Sequence, residues 1–178
     1  MSRLHTITPT EASGRAAELF GAIKGAMGMV PNAYAAIGAN SPVALEAALN
    51  LDAALRKGSL SAKQIEVIKL AVSAQAGCDY CVAAHSLVGK RAGLGVEALK
   101  ALRTNAATGD AAIDALANFV RRVAGSGGTV PAAVLAEVKE AGYSDAQVVD
   151  ALLTVASITF TNLFNRVNDT VVDFPAVA

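Results

Sequence analysis

The sequence predicts an all-α protein, and three observations carry that reading. Helix-start signatures recur along the chain, as Thr8-Pro9-Thr10-Glu11, Ser41-Pro42, Ser61-Ala62-Lys63-Gln64 and Ser144-Asp145-Ala146-Gln147. Each pairs a capping hydroxyl with a first-turn proline or with a Glu or Gln three residues on, able to reach back to the capping amide. Glycines then fall where long apolar runs end, at Gly58, Gly77, Gly93 and Gly142, as helix stops do. No stretch alternates with period two between hairpin turns, so a sheet is not expected.

In order, the first capping box predicts a helix to about Met27. Val30-Pro31-Asn32 resets the chain before a short helix over Ala33 to Ile37, and Ser41-Pro42 opens one running to about Lys57. The helix opened at Ser61 carries Ile65, Val67, Ile68, Leu70, Ala71 and Val72 on nearly every face. A helix apolar all round is buried. Beyond Gly77 the reading is Asp79 to Arg91, Val96 to Arg103, Asp110 to Ala124, Pro131 to Gly142, and a last long helix from Ser144 to Val167. Asp173-Phe174-Pro175 heads an extended tail. An offset of 83 residues sets Ser61 on Ser144, Gln64 on Gln147 and Leu70 on Leu153, a weak internal repeat in which the reactive residues do not recur.

A length of 178 residues suits one domain over 1–178. The chain is 53% hydrophobic and 17% charged, with a formal net charge of zero and a mean hydropathy of +0.43. That leaves apolar surface in excess, and burial between subunits is the simplest outlet. No membrane partner is expected. Of the two longest charge-free stretches, Gly25 to Leu45 is broken by two prolines and Ala151 to Asn165 is short of the ~20 residues a span needs. No charged n-region followed by an apolar run opens the sequence, so no signal peptide is expected and the location predicted is cytoplasmic. Nucleic acid is not expected either, for want of a basic footprint. In a reducing compartment two cysteines are not a structural staple, and their spacing points to redox chemistry or metal.

Both cysteines lie within one short segment with a histidine: Cys78, Cys81 and His85, with Glu66 upstream in the apolar helix. On a helix from Cys78, the two sulfurs and the imidazole share one face, within roughly 60°. Cys78 sits at the helix start, where unpaired amides favour a thiolate. His85 is one turn from Cys81 and nearly two from Cys78, which favours Cys81 as nucleophile and Cys78 as resolving thiol. Glu66 would lie roughly 28 Å from His85 on one continuous helix. A reversal at Gly77 instead brings it near Val88, within about a turn of His85, and permits a relay from Cys81 through His85 to Glu66. Against this stand blander readings: inert buried thiols, a zinc site made from Cys, Cys, His and Glu, or Glu66 as a surface carboxylate paired with Lys63 or Lys69. Asn162, Asn165 and Asn168, spaced by three, read first as a solvated helix face and second as lining a contact or the site.

At these residues the sequence resembles the carboxymuconolactone decarboxylase superfamily and, within it, the AhpD-like alkylhydroperoxidases of the peroxidase-related branch. The family pattern is a glutamate, twelve residues to a CxxC pair, and a histidine four residues beyond the second cysteine. Glu66, Cys78, Cys81 and His85 match each position. Leu19-Phe20-Gly21, Val30-Pro31-Asn32 and the ending over Asn165 to Thr170 with Asp173-Phe174-Pro175 are similar to the family's termini. The resemblance implies an AhpD-like helical domain assembled as a homotrimer or homohexamer. It implies reduction of a hydroperoxide substrate, with the second cysteine attacking, the first closing the disulfide, and His85 and Glu66 relaying protons. No bound cofactor or metal is implied; the electrons would come from an external dithiol reductant, of lipoyl type, or a partner thiol peroxidase. Tyr80 departs from the hydroperoxidases, which carry a histidine between the cysteines. A non-enzymatic redox sensor or adaptor and a zinc-binding structural module remain the alternatives.

Overall fold

The computed structural model describes residues 2–176. Among the described residues there are nine helices and no strand: α1 (Gly14–Met27), α2 (Asn32–Asn40), α3 (Pro42–Leu55), α4 (Ala62–Gln75), α5 (Asp79–Arg91), α6 (Val96–Thr104), α7 (Ala111–Ser126), α8 (Ala132–Glu140) and α9 (Asp145–Asn168). The capping boxes at Ser61 and Ser144 form as the sequence predicts, each hydroxyl accepting from the amide three residues on while the glutamine reaches back. The first signature does not open a helix. Glu11 accepts from both the amide and the hydroxyl of Thr8, at 2.9 and 2.7 Å, so that hydroxyl is spent as a donor. The chain makes only a turn there, and α1 begins at Gly14.

Helix α4 is the centre of the molecule. Its residues 65 to 73 are all buried, with α5, α6, α7 and α9 packed around it. Ile65, Val67, Ile68, Leu70, Ala71 and Val72 join one core with Leu102 of α6, Leu116, Phe119 and Val120 of α7, and Ala151, Val155 and Ile158 of α9. A second, smaller core gathers Leu19, Phe20 and Ile23 of α1 with Ile37 and Leu45. Three polar side chains are enclosed with α4's apolar ones, and each has a partner on a different helix. Glu66 accepts from His85 on α5 at 2.8 Å, Lys69 donates to Asp52 on α3 at 2.8 Å, and Ser73 donates to Asn162 on α9 at 3.0 Å.

The turn between α4 and α5 is built for reversal. Gly77 sits at φ +63°, the left-handed conformation that glycine adopts without penalty. The Cys78 amide donates back to the Ser73 carbonyl at 3.1 Å and the Gly77 amide to Ala74, which together close the helix end. Arg166 of α9 donates to the Ala76 carbonyl from outside. Helix α5 then runs back along α4, and at position 89 the missing side chain leaves room for Leu94 and Leu99, which follow in the chain. A Cβ there would stand 3.0 Å from Leu94 Cδ1, 3.1 Å from Leu99 Cδ2 and 3.7 Å from Glu66 Cβ.

By length and composition α9 is apolar enough to cross a membrane. Its inward face, however, carries Thr154, Ser157, Asn162, Asn165 and Asn168, all buried, in contact with α3, α4, α5 and α7. Its outward face shows Val149, Leu152, Leu153, Phe160, Leu163 and Val167. The tail after α9 returns over the turn: Asp173 accepts from the Asn32 amide at 2.8 Å, and the Phe174 ring meets Tyr80 edge-on at 5.4 Å.

Gly89 generates a test of the packing of α5 against Leu94 and Leu99. Gly89→Val is expected to lose roughly 1–3 kcal/mol of stability, the usual cost of overpacking, as a lower denaturant midpoint at unchanged slope. A parent-like midpoint would show that α5 is free to move away from Leu94 and Leu99.

Candidate active site

The reversal at Gly77 brings Glu66, Cys78, Cys81 and His85 to one place. Cys78 is the N-cap of α5, with extended backbone, and its sulfur accepts from the Cys81 amide at 3.4 Å. The two sulfurs are 2.8 Å apart, both cysteines are free, and each is 2% exposed. One turn further, His85 Nδ1 bonds Glu66 Oε2. Glu66 is therefore a buried partner of His85, not a surface carboxylate paired with lysine. Among the described residues no hydrogen bond joins His85 directly to Cys81, so a proton passing between them needs a bridging water or substrate oxygen.

The environment separates the two thiols. Cys78 is held below the usual thiol range, first by the hydrogen bond from the Cys81 thiol, which outweighs burial, and then by the Cys81 amide. Cys81 is pushed up by the proton it gives to Cys78, by burial and by the charge it would face on Cys78. The resting dithiol thus holds its first negative charge on Cys78. Position at the helix start prevails over nearness to His85, because the helix-start donors touch the sulfur and the imidazole does not.

A charged pair flanks the relay. Burial opposes ionisation of Asp52, but the Lys69 charge and hydrogen bonds from Lys69 and from Ser157 at 3.0 Å hold its carboxyl below the ordinary value. Lys69 lies one turn along α4 from Glu66, so its positive charge borders the His85–Glu66 bond. Tyr80, between the cysteines, points away from them: its hydroxyl accepts from the Ala33 amide at 3.1 Å, and burial raises its pKa. It acts as a tie between α5 and α2.

The three asparagines are not a solvated face. Asn162, Asn165 and Asn168 are 3%, 4% and 0% exposed. Asn165 Nδ2 donates to Cys81 Sγ at 3.3 Å, and Asn168 accepts from the amides of Arg3 and Leu4. The period of three identified a common face without saying which way it turned. For the zinc reading, no three His, Cys, Asp or Glu side chains among the described residues are grouped to hold a metal ion.

The sequence model of the carboxymuconolactone decarboxylase family matches residues 42–124, a span that contains all four residues. No curated protein matches the chain. The fold is similar to that of a peroxidase-related protein, an alkylhydroperoxidase AhpD core, from Ralstonia eutropha JMP134, with a TM-score of 0.87 at 20% identity over 97% of this chain and 92% of that one. It is also similar to the debrominase Bmp8, with a TM-score of 0.80 at 18% identity over 97% and 93% of the two chains. A third is a peroxidase-related protein from Silicibacter sp. TM1040, with a TM-score of 0.77 at 17% identity over 96% and 94%.

The division of charge between the sulfurs sets a pH order. A lowered pKa makes a thiolate available at lower pH, so limiting iodoacetamide should modify Cys78 first, with onset below the ~8.5 of a free thiol. Cys81 should follow only at higher pH. Peptide mapping of the singly alkylated protein checks this, and predominant labelling of Cys81 would reverse the assignment of charge.

Proposed function

We propose that this chain is an AhpD-like member of the carboxymuconolactone decarboxylase superfamily and a thiol-dependent hydroperoxide reductase working as a thiol–disulfide oxidoreductase. The observation that carries this reading is the pair of free sulfurs 2.8 Å apart, one turn from a buried His85–Glu66 bond. A cysteine thiolate attacks the peroxide oxygen. The S–O bond forms, the O–O bond breaks, and the alcohol leaves with a proton. The second thiol displaces water from the sulfenic acid and closes the Cys78–Cys81 disulfide. Peroxide has then taken two electrons, and two thiols have been oxidised. An external dithiol returns them.

His85 and Glu66 have the work of moving protons. Closing the disulfide requires the Cys81 thiol to lose its proton as the sulfenic acid gains one. An imidazole one turn away, held by a carboxylate, suits both transfers through an intervening oxygen. The Glu66 bond fixes the ring so that its other nitrogen is turned away from the carboxylate, as an orienting carboxylate does in other histidine-centred sites.

We further propose that the chain is one domain over 1–178 and self-associates, as a trimer or hexamer, in a reducing cytoplasm. The support for self-association is the outward face of α9. Val149, Leu163 and Val167 there are each more than 60% exposed, and they lie in line with Leu152, Leu153 and Phe160 on a helix whose polar residues face inward.

Two measurements test these readings. With dithiothreitol as donor, the parent should consume cumene hydroperoxide, Cys78→Ser and Cys81→Ser should be inactive, and His85→Ala and Glu66→Gln should lose roughly 100-fold, a usual contribution of acid–base catalysis. A brominated pyrrole belongs in the same assay, since Bmp8 is a debrominase: turnover of it without turnover of peroxide would move the reading to reductive dehalogenation. For assembly, Leu163→Glu should shift the sedimentation mass of the parent oligomer towards that of one chain. A monomeric parent would refute the association.

A further inference from the structure

The dithiol reading above leaves one demand unmet. A disulfide that opens must release one of its sulfurs as a thiolate, and the two sulfurs are not equally prepared to carry that charge. Cys78 has the helix start, the Cys81 amide and the Cys81 thiol. Once the disulfide forms, Cys81 has lost its thiol proton, and its own amide is committed to the Cys78 sulfur. What remains on Cys81 comes from α9. Asn165 Nδ2 lies 3.3 Å from Cys81 Sγ. The Thr161 hydroxyl is near the same sulfur, but its own hydrogen bond goes to the Ile158 carbonyl at 3.1 Å. Asn165 is itself buried, and its other amide atom, Oδ1, has no partner. The side chain's hydrogen bond is thus the one its nitrogen makes to Cys81.

Access separates the sulfurs in the same sense. A polar cavity of about 320 Å³ is lined by Gly77, Cys78, Asp79, Tyr80, Asn165 and Arg166, with three residues of the chain's return. Cys78 is on its wall and Cys81 is not. A reagent entering here meets Cys78, with Cys81 behind it against Asn165.

We propose that Asn165 is a catalytic residue of this dithiol, donating to Cys81 Sγ to hold the negative charge that sulfur takes when the disulfide opens, while Cys78 is the sulfur met from the cavity. When a dithiol reductant attacks, its thiolate forms a bond to Cys78 Sγ and the Cys78–Cys81 bond breaks. The bonding electron pair stays on Cys81 Sγ as a thiolate, to which the Asn165 amide donates its hydrogen bond. The reductant's second thiolate then attacks its own sulfur in the mixed disulfide, and Cys78 leaves as the thiolate its helix start favours. Hydrogen bonds to charged groups are the strong class, and this one forms in full only as the charge appears.

The test uses the full chain and no hydroperoxide, so it stands or falls apart from the peroxidase reading. Reduction of the Cys78–Cys81 disulfide by dithiothreitol should slow roughly 10- to 100-fold in Asn165→Ala, the range for losing a hydrogen bond to a charge. Asn165→Asp, of the same shape but with a carboxylate at the sulfur, should slow it at least as much and guards against a folding failure of the alanine variant. In the Cys78→Ser background, where Cys81 is the sole thiol, either change at Asn165 should raise the midpoint of the alkylation pH profile by roughly 1–2 units. Asn162→Ala, which removes a neighbouring buried amide bonded to Ser73 and not to sulfur, should leave both the rate and the midpoint near those of the parent. Parent-like rate and midpoint in both Asn165 variants would overturn the assignment. Equal shifts in Asn162→Ala would reduce it to packing.

Discussion

The structure depends on the enclosure of α4. A helix with residues 65 to 73 all buried cannot leave a polar side chain to water, and an unmet buried hydroxyl costs about 1–3 kcal/mol, a buried charge more. Glu66, Lys69 and Ser73 therefore each demand a partner, and the demand is answered by three different helices, through His85, Asp52 and Asn162. These bonds also fix where α5, α3 and α9 stand along α4, because each pair has one productive register. The candidate site follows from the core's own need to satisfy its polar groups. The Asp52 carboxylate reinforces this by also accepting from Ser157 of α9, so that α3, α4 and α9 meet at one half-buried carboxylate.

Enclosure explains position, and the Gly77 reversal explains chemistry. Because α4 ends with the Cys78 amide turned back to Ser73, Cys78 is left as the N-cap of α5 with its sulfur over the open amides. Two effects then compete for the first charge: the helix start acts on Cys78, and a neighbouring histidine acts on Cys81. Distance decides between them. The Cys81 amide and thiol are in contact with Cys78 Sγ, whereas His85 spends its Nδ1 on Glu66. The sulfurs titrate as a pair, so charge on Cys78 is also what keeps the proton on Cys81.

Much of this was legible in the sequence. The capped apolar helix from Ser61, the stop at Gly77 and the restart at Asp79 allowed the antiparallel pair that carries Glu66 to His85, and α5 has the bounds expected of it. The family resemblance named the same four residues. What the sequence concealed was the direction of α9. Its asparagines at intervals of three and its Val, Leu and Phe positions form two faces. Ordinary amphipathicity turns the polar one outward, and in this chain the asparagines point inward, to Cys81, Ser73 and the Arg3–Leu4 backbone. Periodicity finds faces but carries no sign. The Asp52–Lys69 pair was hidden for a related reason: it joins residues 17 apart in sequence, outside the i to i+4 range in which helix charges reveal their partners.

The inverted α9 also constrains how the dithiol can cycle. In the proposed cycle, closing the disulfide would draw the sulfurs from 2.8 Å to about 2.05 Å. That bond removes the proton shared between the sulfurs and neutralises the charge on Cys78, so every donor arranged around the pair loses the acceptor it was placed for. The Cys81 amide, the helix start and Asn165 Nδ2 are all better satisfied by a thiolate than by a disulfide sulfur. Preorganised donors of this kind favour the reduced form and make the oxidised form the easier to reduce. They pull opposite to the proximity of the sulfurs, which favours closure. Under the proposed function, such a balance would suit a disulfide that must form and reopen in each cycle, which a structural disulfide does not do.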